Sequence, residues 1–140
     1  MTKDSTVLAP PTNCLLDSVE INLNGVNDYI EIPYDPIFDF GDNQDFTIEC
    51  RVKTEIAADV AIIGNKDWDS GNLDGFVFSF KFPSGPEWKV NVGDGFSRAD
   101  INSGGQIADG NWFSLAVSFD RDGMMKMYQD GVFILSLIHI

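Results

Sequence analysis

Asp109 to Gly131 constrains the fold more than any other stretch. It reads Asp-Gly-Asn-Trp-Phe-Ser-Leu-Ala-Val-Ser-Phe-Asp-Arg-Asp-Gly-Met-Met-Lys-Met-Tyr-Gln-Asp-Gly. Phe113, Leu115, Val117 and Phe119 fall on every second residue, with Ser114, Ala116 and Ser118 between them. A strand turns successive side chains to opposite faces, so this alternation puts the large apolar groups on one face and the small ones on the other. Asp109-Gly110, Asp122-Gly123 and Asp130-Gly131 punctuate the stretch. Asp-Gly suits the positive-φ positions of tight hairpin turns. Trp112 therefore opens one strand, and the residues from Met124 to Tyr128 begin the next.

With 140 residues the chain forms one domain large enough for a real core. Eleven Phe, three Trp and three Tyr beside 13 Gly suit short strands joined by tight turns. The net charge is −13, from 22 acidic against 9 basic residues. Such a field repels phosphate backbones, which excludes nucleic acid as a partner and disfavours sulfated glycans and anionic membranes. The acidity suits a secreted protein or a calcium binder, and ordinary solubility explains it equally well. No apolar segment opens the chain and no run of about 18 apolar residues occurs, so no membrane insertion is expected. If the protein is exported, its signal peptide precedes this sequence.

Residues 1–17 contain Ala9-Pro10-Pro11-Thr12-Asn13 and read as a linker-like segment ahead of a domain spanning 18–140. Strands are expected at Val19–Leu23 and Tyr29–Ile32, around an Asn24–Asp28 turn. Pro33 and Pro36 then impose a loop. Phe46 to Lys53 alternates strictly, with Cys50 in phase with Phe46, Ile48 and Val52. Cys50 reads as a buried free thiol, with a Cys14–Cys50 disulfide as the alternative. A short apolar run, Val60–Gly64, leads into a polar loop through Gly75. Phe76, Phe78, Phe80 and Phe82 then share one face and form a core layer. Further strands are expected at Trp88–Val92 and Phe96–Ile101, the latter closed by Ser103-Gly104-Gly105. About eight to ten short strands near ten residues apart indicate an all-β antiparallel sandwich.

Three stretches carry a resemblance to a known family. They are Leu23-Asn24-Gly25-Val26-Asn27-Asp28-Tyr29-Ile30-Glu31-Ile32, Phe46-Thr47-Ile48-Glu49-Cys50-Arg51-Val52-Lys53, and the hairpin from Asp109-Gly110-Asn111-Trp112 to Tyr128-Gln129-Asp130-Gly131. In this order they resemble the laminin-G-like, or concanavalin A-like, lectin and glucanase superfamily, and the central loop 64–76 with residues 88–95 after it resembles the bacterial modules of that superfamily. Arg51 stands where the family usually has an aromatic, and Phe113 and Ser114 stand where it usually has two histidines. The resemblance implies a jelly-roll sandwich and a non-catalytic module of a larger secreted or envelope protein. It also implies further strands after the Tyr128–Gly131 turn, where only nine residues follow. The expectation is a C-terminally incomplete sandwich, completed by a partner or by strand exchange in a homodimer.

Glycosidases on this fold place carboxylates at alternate positions of one strand. Glu20, Glu31, Glu49, Glu55 and Glu87 have no such pattern, and the sole histidine, His139, lies in the tail. No catalytic residue is therefore assigned. Asp67, Asp69, Asn72 and Asp74 crowd one loop and offer the hard oxygen ligands calcium prefers, although the spacing is not that of an EF-hand. The alternative is that they turn the loop and cap its backbone. Asp42, Asn43 and Asp45 form a weaker cluster of the same kind. Trp68, flanked by aspartates, is the candidate to stack on a sugar ring, with folding back onto the sandwich as its alternative. Trp88 and Trp112 read as packing residues. The expected function is a carbohydrate-binding or adhesion-type module whose partner is a glycan or a cell-surface protein. A structural spacer or protein-interaction domain is the alternative, and a glycan-cleaving enzyme a third reading.

Overall fold

The computed structural model describes residues 20–41, 43–58, 60–66, 73–81 and 85–138. The chain divides at Tyr34/Asp35 into two units, each described by itself. In residues 20–34 the two expected strands are absent, and Val19, Cys14 and the linker-like segment 1–17 lie outside the described residues. Asn24 Oδ1 accepts from the backbone N–H groups of Val26, Asn27 and Asp28, at 2.8, 3.0 and 3.2 Å. These bonds close the Asn24–Asp28 turn that the sequence indicates.

The described residues of 35–138 carry eight strands: β1 (Phe46–Lys53), β2 (Ala61–Gly64), β3 (Gly75–Lys81), β4 (Gly85–Gly93), β5 (Arg98–Gln106), β6 (Trp112–Phe119), β7 (Met124–Gln129) and β8 (Val132–Ile138). They form two antiparallel sheets, in the orders β1-β6-β7-β8 and β2-β3-β4-β5. The core lies between them. Phe78 and Phe80 of β3, Trp88, Val90 and Val92 of β4 and Ile101 of β5 meet Leu115, Val117 and Phe119 of β6 and Met125 and Met127 of β7. The period-2 patterns thus put the predicted faces inward, and the all-β sandwich is the observed architecture.

The opening hairpin forms as the sequence indicates, but its three Asp-Gly pairs differ. Asp130 and Gly131 both take positive φ, 51° and 75°, and join β7 to β8 in two residues, which is what the right-handed twist of a hairpin favours. Gly110 is positive at 80° and leads into β6, where its N–H donates to Thr54 O at 3.0 Å. Gly123 closes a wider turn, its N–H donating to Asp120 O at 3.1 Å, without a positive φ.

Two strands differ from their expected limits. β5 begins at Arg98 rather than Phe96 and runs to Gln106, pairing with β4 from Arg98 to Asn102 and again at Gln106, with a register shift between Glu87 and Lys89 where Ser103-Gly104-Gly105 pass. Residues 132–138, an apolar run without alternation, pair with β7 as β8 across a bulge at Met127/Tyr128. Phe82 and His139 lie outside the described residues.

At the β1/β6 end, Phe40, Phe46 and Phe119 stack with centroid separations of 4.1 and 4.4 Å. The Arg121 guanidinium lies over Phe46 at 5.2 Å and donates to Gly41 O at 2.9 Å, while Asp45 Oδ1 accepts from Arg121 N at 2.8 Å. Asp45 therefore ties a turn in place, while its companion Asp42 lies outside the described residues. Cys50 is a free thiol. Burial, and then the adjacent Glu49 carboxylate, push its pKa up to about 11, so it stays protonated at neutral pH.

Candidate functional site

The loop between β2 and β3 is held at its base from both sides. Asn65 N donates to Phe76 O at 3.1 Å, and Phe76 N returns a bond to Asn65 Oδ1 at 2.8 Å. Lys66 Nζ donates to Leu73 O at 3.1 Å. Gly75 has φ +120°, and a Cβ there would run into the Asn65 carboxamide oxygen. Of the sequence-predicted site residues, Asp67, Trp68, Asp69 and Asn72 lie outside the described residues, and Asp74 lies within them.

Asp74 reaches the β4–β5 turn. A Cβ built on Gly95, at φ +88°, would stand 3.1 Å from Asp74 Oδ1, so the carboxylate lies directly over that glycine. Asp94 shapes the same turn. Its Oδ1 accepts from Ser97 N at 2.6 Å and from Phe96 N at 2.8 Å, and its Oδ2 accepts from Ser97 Oγ at 3.0 Å. These donors, the Ser97 N–H foremost, hold the Asp94 pKa below its ordinary 3.8. The turn lifts Phe96 to its tip, where it is 89% exposed.

The outer face of β4 and β5 continues the cluster. Register places Asn91 between Val77 and Asp100. Asn91 Nδ2 donates to Asp100 Oδ1 at 2.5 Å, and Arg98 Nε stands 3.1 Å from Asp100 Oδ2. Lys66 belongs to the same field. Burial lowers its pKa and Arg98 adds to that, while Asp100 and Asp74 act in the opposite sense. One end of the β2-β3-β4-β5 sheet thus gathers an exposed ring, two cationic donors and three carboxylates. That set can stack on a flat apolar face and exchange hydrogen bonds with hydroxyl groups around it.

The sequence pointed to this region through Asp74 and missed Lys66, Asn91, Phe96, Arg98 and Asp100. The sequence suggests a strand from Phe96, whereas the strand begins at Arg98; the usable signal is Asp94-Gly95, a turn pair immediately before Phe96. The five glutamates stand apart in the chain, with Glu49 on β1, Glu87 on β4 and Glu20, Glu31 and Glu55 outside the strands. Among the described residues, no three Asp, Glu, His or Cys side chains come together as a metal-holding group. Trp112 is half-buried beneath the Arg51 guanidinium, 5.2 Å from its ring, and Trp88 is fully buried. Both are packing residues.

A family model for the concanavalin A-like lectin/glucanases superfamily matches residues 24–137. The chain belongs to that superfamily. Comparison with curated proteins returned no match. The superfamily's sandwich is the one observed, and membership supports a carbohydrate-binding or adhesion-type module in general terms. Among the described residues, no helix is long and apolar enough to cross a membrane.

Proposed function

We propose that this superfamily member is a non-catalytic glycan-binding module of a larger secreted or cell-envelope bacterial protein. Its binding end is the one where the β2–β3 loop meets the β4–β5 turn. The observation that carries the reading is Phe96, held 89% exposed by the Asp94 turn with the Asp74 carboxylate beside it. An aromatic ring 89% exposed at a turn presents a large apolar surface, which suits a partner with a flat apolar face. A pyranose ring offers such a face, and its hydroxyls match Asp74, Lys66, Arg98 and Asp100. For calcium, Asp67, Asp69 and Asn72 would join Asp74 as oxygen ligands.

The test is binding to a broad immobilised-glycan array, with and without EDTA, for the parent and for Phe96→Ala. The parent is expected to bind at least one glycan without cleaving it. Phe96→Ala is expected to bind about 10-fold or more weaker, the scale of one lost aromatic stack. Loss in EDTA supports the calcium part, and retention removes it. A parent that binds no glycan, or cleaves one, contradicts the reading.

A further inference from the structure

The outer faces of the two sheets are built differently. On β1 the outward residues Thr47, Glu49, Arg51 and Lys53 are exposed, as expected where a sheet faces water. On β3 and β4 the outward Val77, Ser79, Lys89 and Asn91 are buried. Asn91 is 0% exposed, and its Oδ1 has no hydrogen-bond partner, although its Nδ2 donates to Asp100. An unmet buried acceptor is destabilising, because it has lost its water and gained nothing. Its usual explanation is a missing donor.

The neighbours narrow what that donor is. Asn91 Oδ1 only accepts, so the occupant must donate to it; the Asp100 carboxylate already meets Asn91 Nδ2 and Arg98 Nε, and its remaining lone pairs can take a second donor from the same occupant. A cationic occupant would be repelled by Arg98, 3.1 Å from Asp100, and by Lys66, whose charge Asp100 already feels. A carboxylate would bring no proton to donate and would face Asp100. A neutral pair of adjacent hydroxyls satisfies both acceptors, and Lys66 and Arg98 can donate to its oxygens in turn. The Arg98–Asp100 pair is the exposed part of this cluster, its side chains 45% and 37% exposed. Surface pairs of this kind contribute little, so Arg98 can swing aside at small cost.

Resting on the glycan reading above, we propose that Asn91 and Asp100 form the hydroxyl-reading floor of that site, selective for a neutral vicinal diol over an acidic sugar. The experiment titrates the parent and Asn91→Leu with neutral hexose oligosaccharides and the matching uronic-acid oligosaccharides. Thermal melting is followed alongside. Neutral sugars are expected to bind the parent at least 10-fold tighter than uronates. Asn91→Leu is expected to lose 10-fold or more in affinity while its Tm holds or rises, since leucine fills the space without the unmet oxygen. That combination separates a binding role from a structural one. Should Asn91→Leu fail to fold, the Asn91 side-chain amide resonances of the parent decide: movement on adding the neutral sugar supports the proposal, and none overturns it. Parent-like binding by Asn91→Leu means the oxygen serves only a structural water, and this inference falls while glycan binding stands. A parent that binds neither class of sugar overturns both.

Discussion

Trp88→Ala is expected to lower the stability of the sandwich by about 3–5 kcal/mol, the range for removing a fully buried large aromatic. Trp88 is 0% exposed and packs against Phe78 with ring centroids 5.6 Å apart. It also joins the two sheets. Its Nε1 donates to Gln129 Oε1 at 3.1 Å, and Gln129 Nε2 donates onward to Gln106 O at 3.3 Å. Alanine would leave a cavity and strand the Gln129 oxygen, so the packing and hydrogen-bond losses add. Domains of this size have about 5–15 kcal/mol in total, so the change removes a large share. Urea denaturation should show a lower midpoint with an unchanged slope. A shift under about 1 kcal/mol would contradict this account of the core. Trp88→Phe keeps most of the apolar area and loses the hydrogen bond, and should fall between the two.

Gly75→Ala is expected to cost about 2–4 kcal/mol, from backbone strain and one lost hydrogen bond. At φ +120° only glycine sits without strain, and the new Cβ would have to expel the Asn65 carboxamide. That severs the 2.8 Å bond from Phe76 N and releases one side of the loop base. The effect reaches the candidate site, because the residue before Gly75 is Asp74. Hydrogen exchange at the Phe76 amide should quicken in the variant, and glycan affinity should fall with it. A variant with parent-like Tm and Phe76 protection would show that the latch does not hold the loop.

The two cases mark what was legible in the sequence. Strands that bury one face announce themselves by alternation, which is why Phe46–Lys53 and Trp112–Phe119 were read with their facing residues correct. The Asn102–Gln106 part of β5 has a turn-like composition and is tied to β4 at Asn102 and Gln106, on either side of a register shift, which no local pattern records. At 20–34 the Asn24–Asp28 turn forms as the sequence indicates, while the flanking apolar alternation forms no strand. The site divides in the same way. Asp74 was found because acidic residues crowd one loop. Asn91, Arg98 and Asp100 are brought together by the register between β4 and β5, a long-range property. Phe96 was misread because an aromatic after Asp-Gly suits a strand start as well as a turn tip.

The most direct test of the central claim is a backbone amide NMR titration of the parent chain with its tightest glycan from the array. The account predicts shifts concentrated at Lys66, Asp74, Asn91 and Phe96 through Asp100, with β1 and β6 to β8 unmoved. Shifts confined to the outer face of β1, β6, β7 and β8, with Phe96 and Asp100 still, would contradict it.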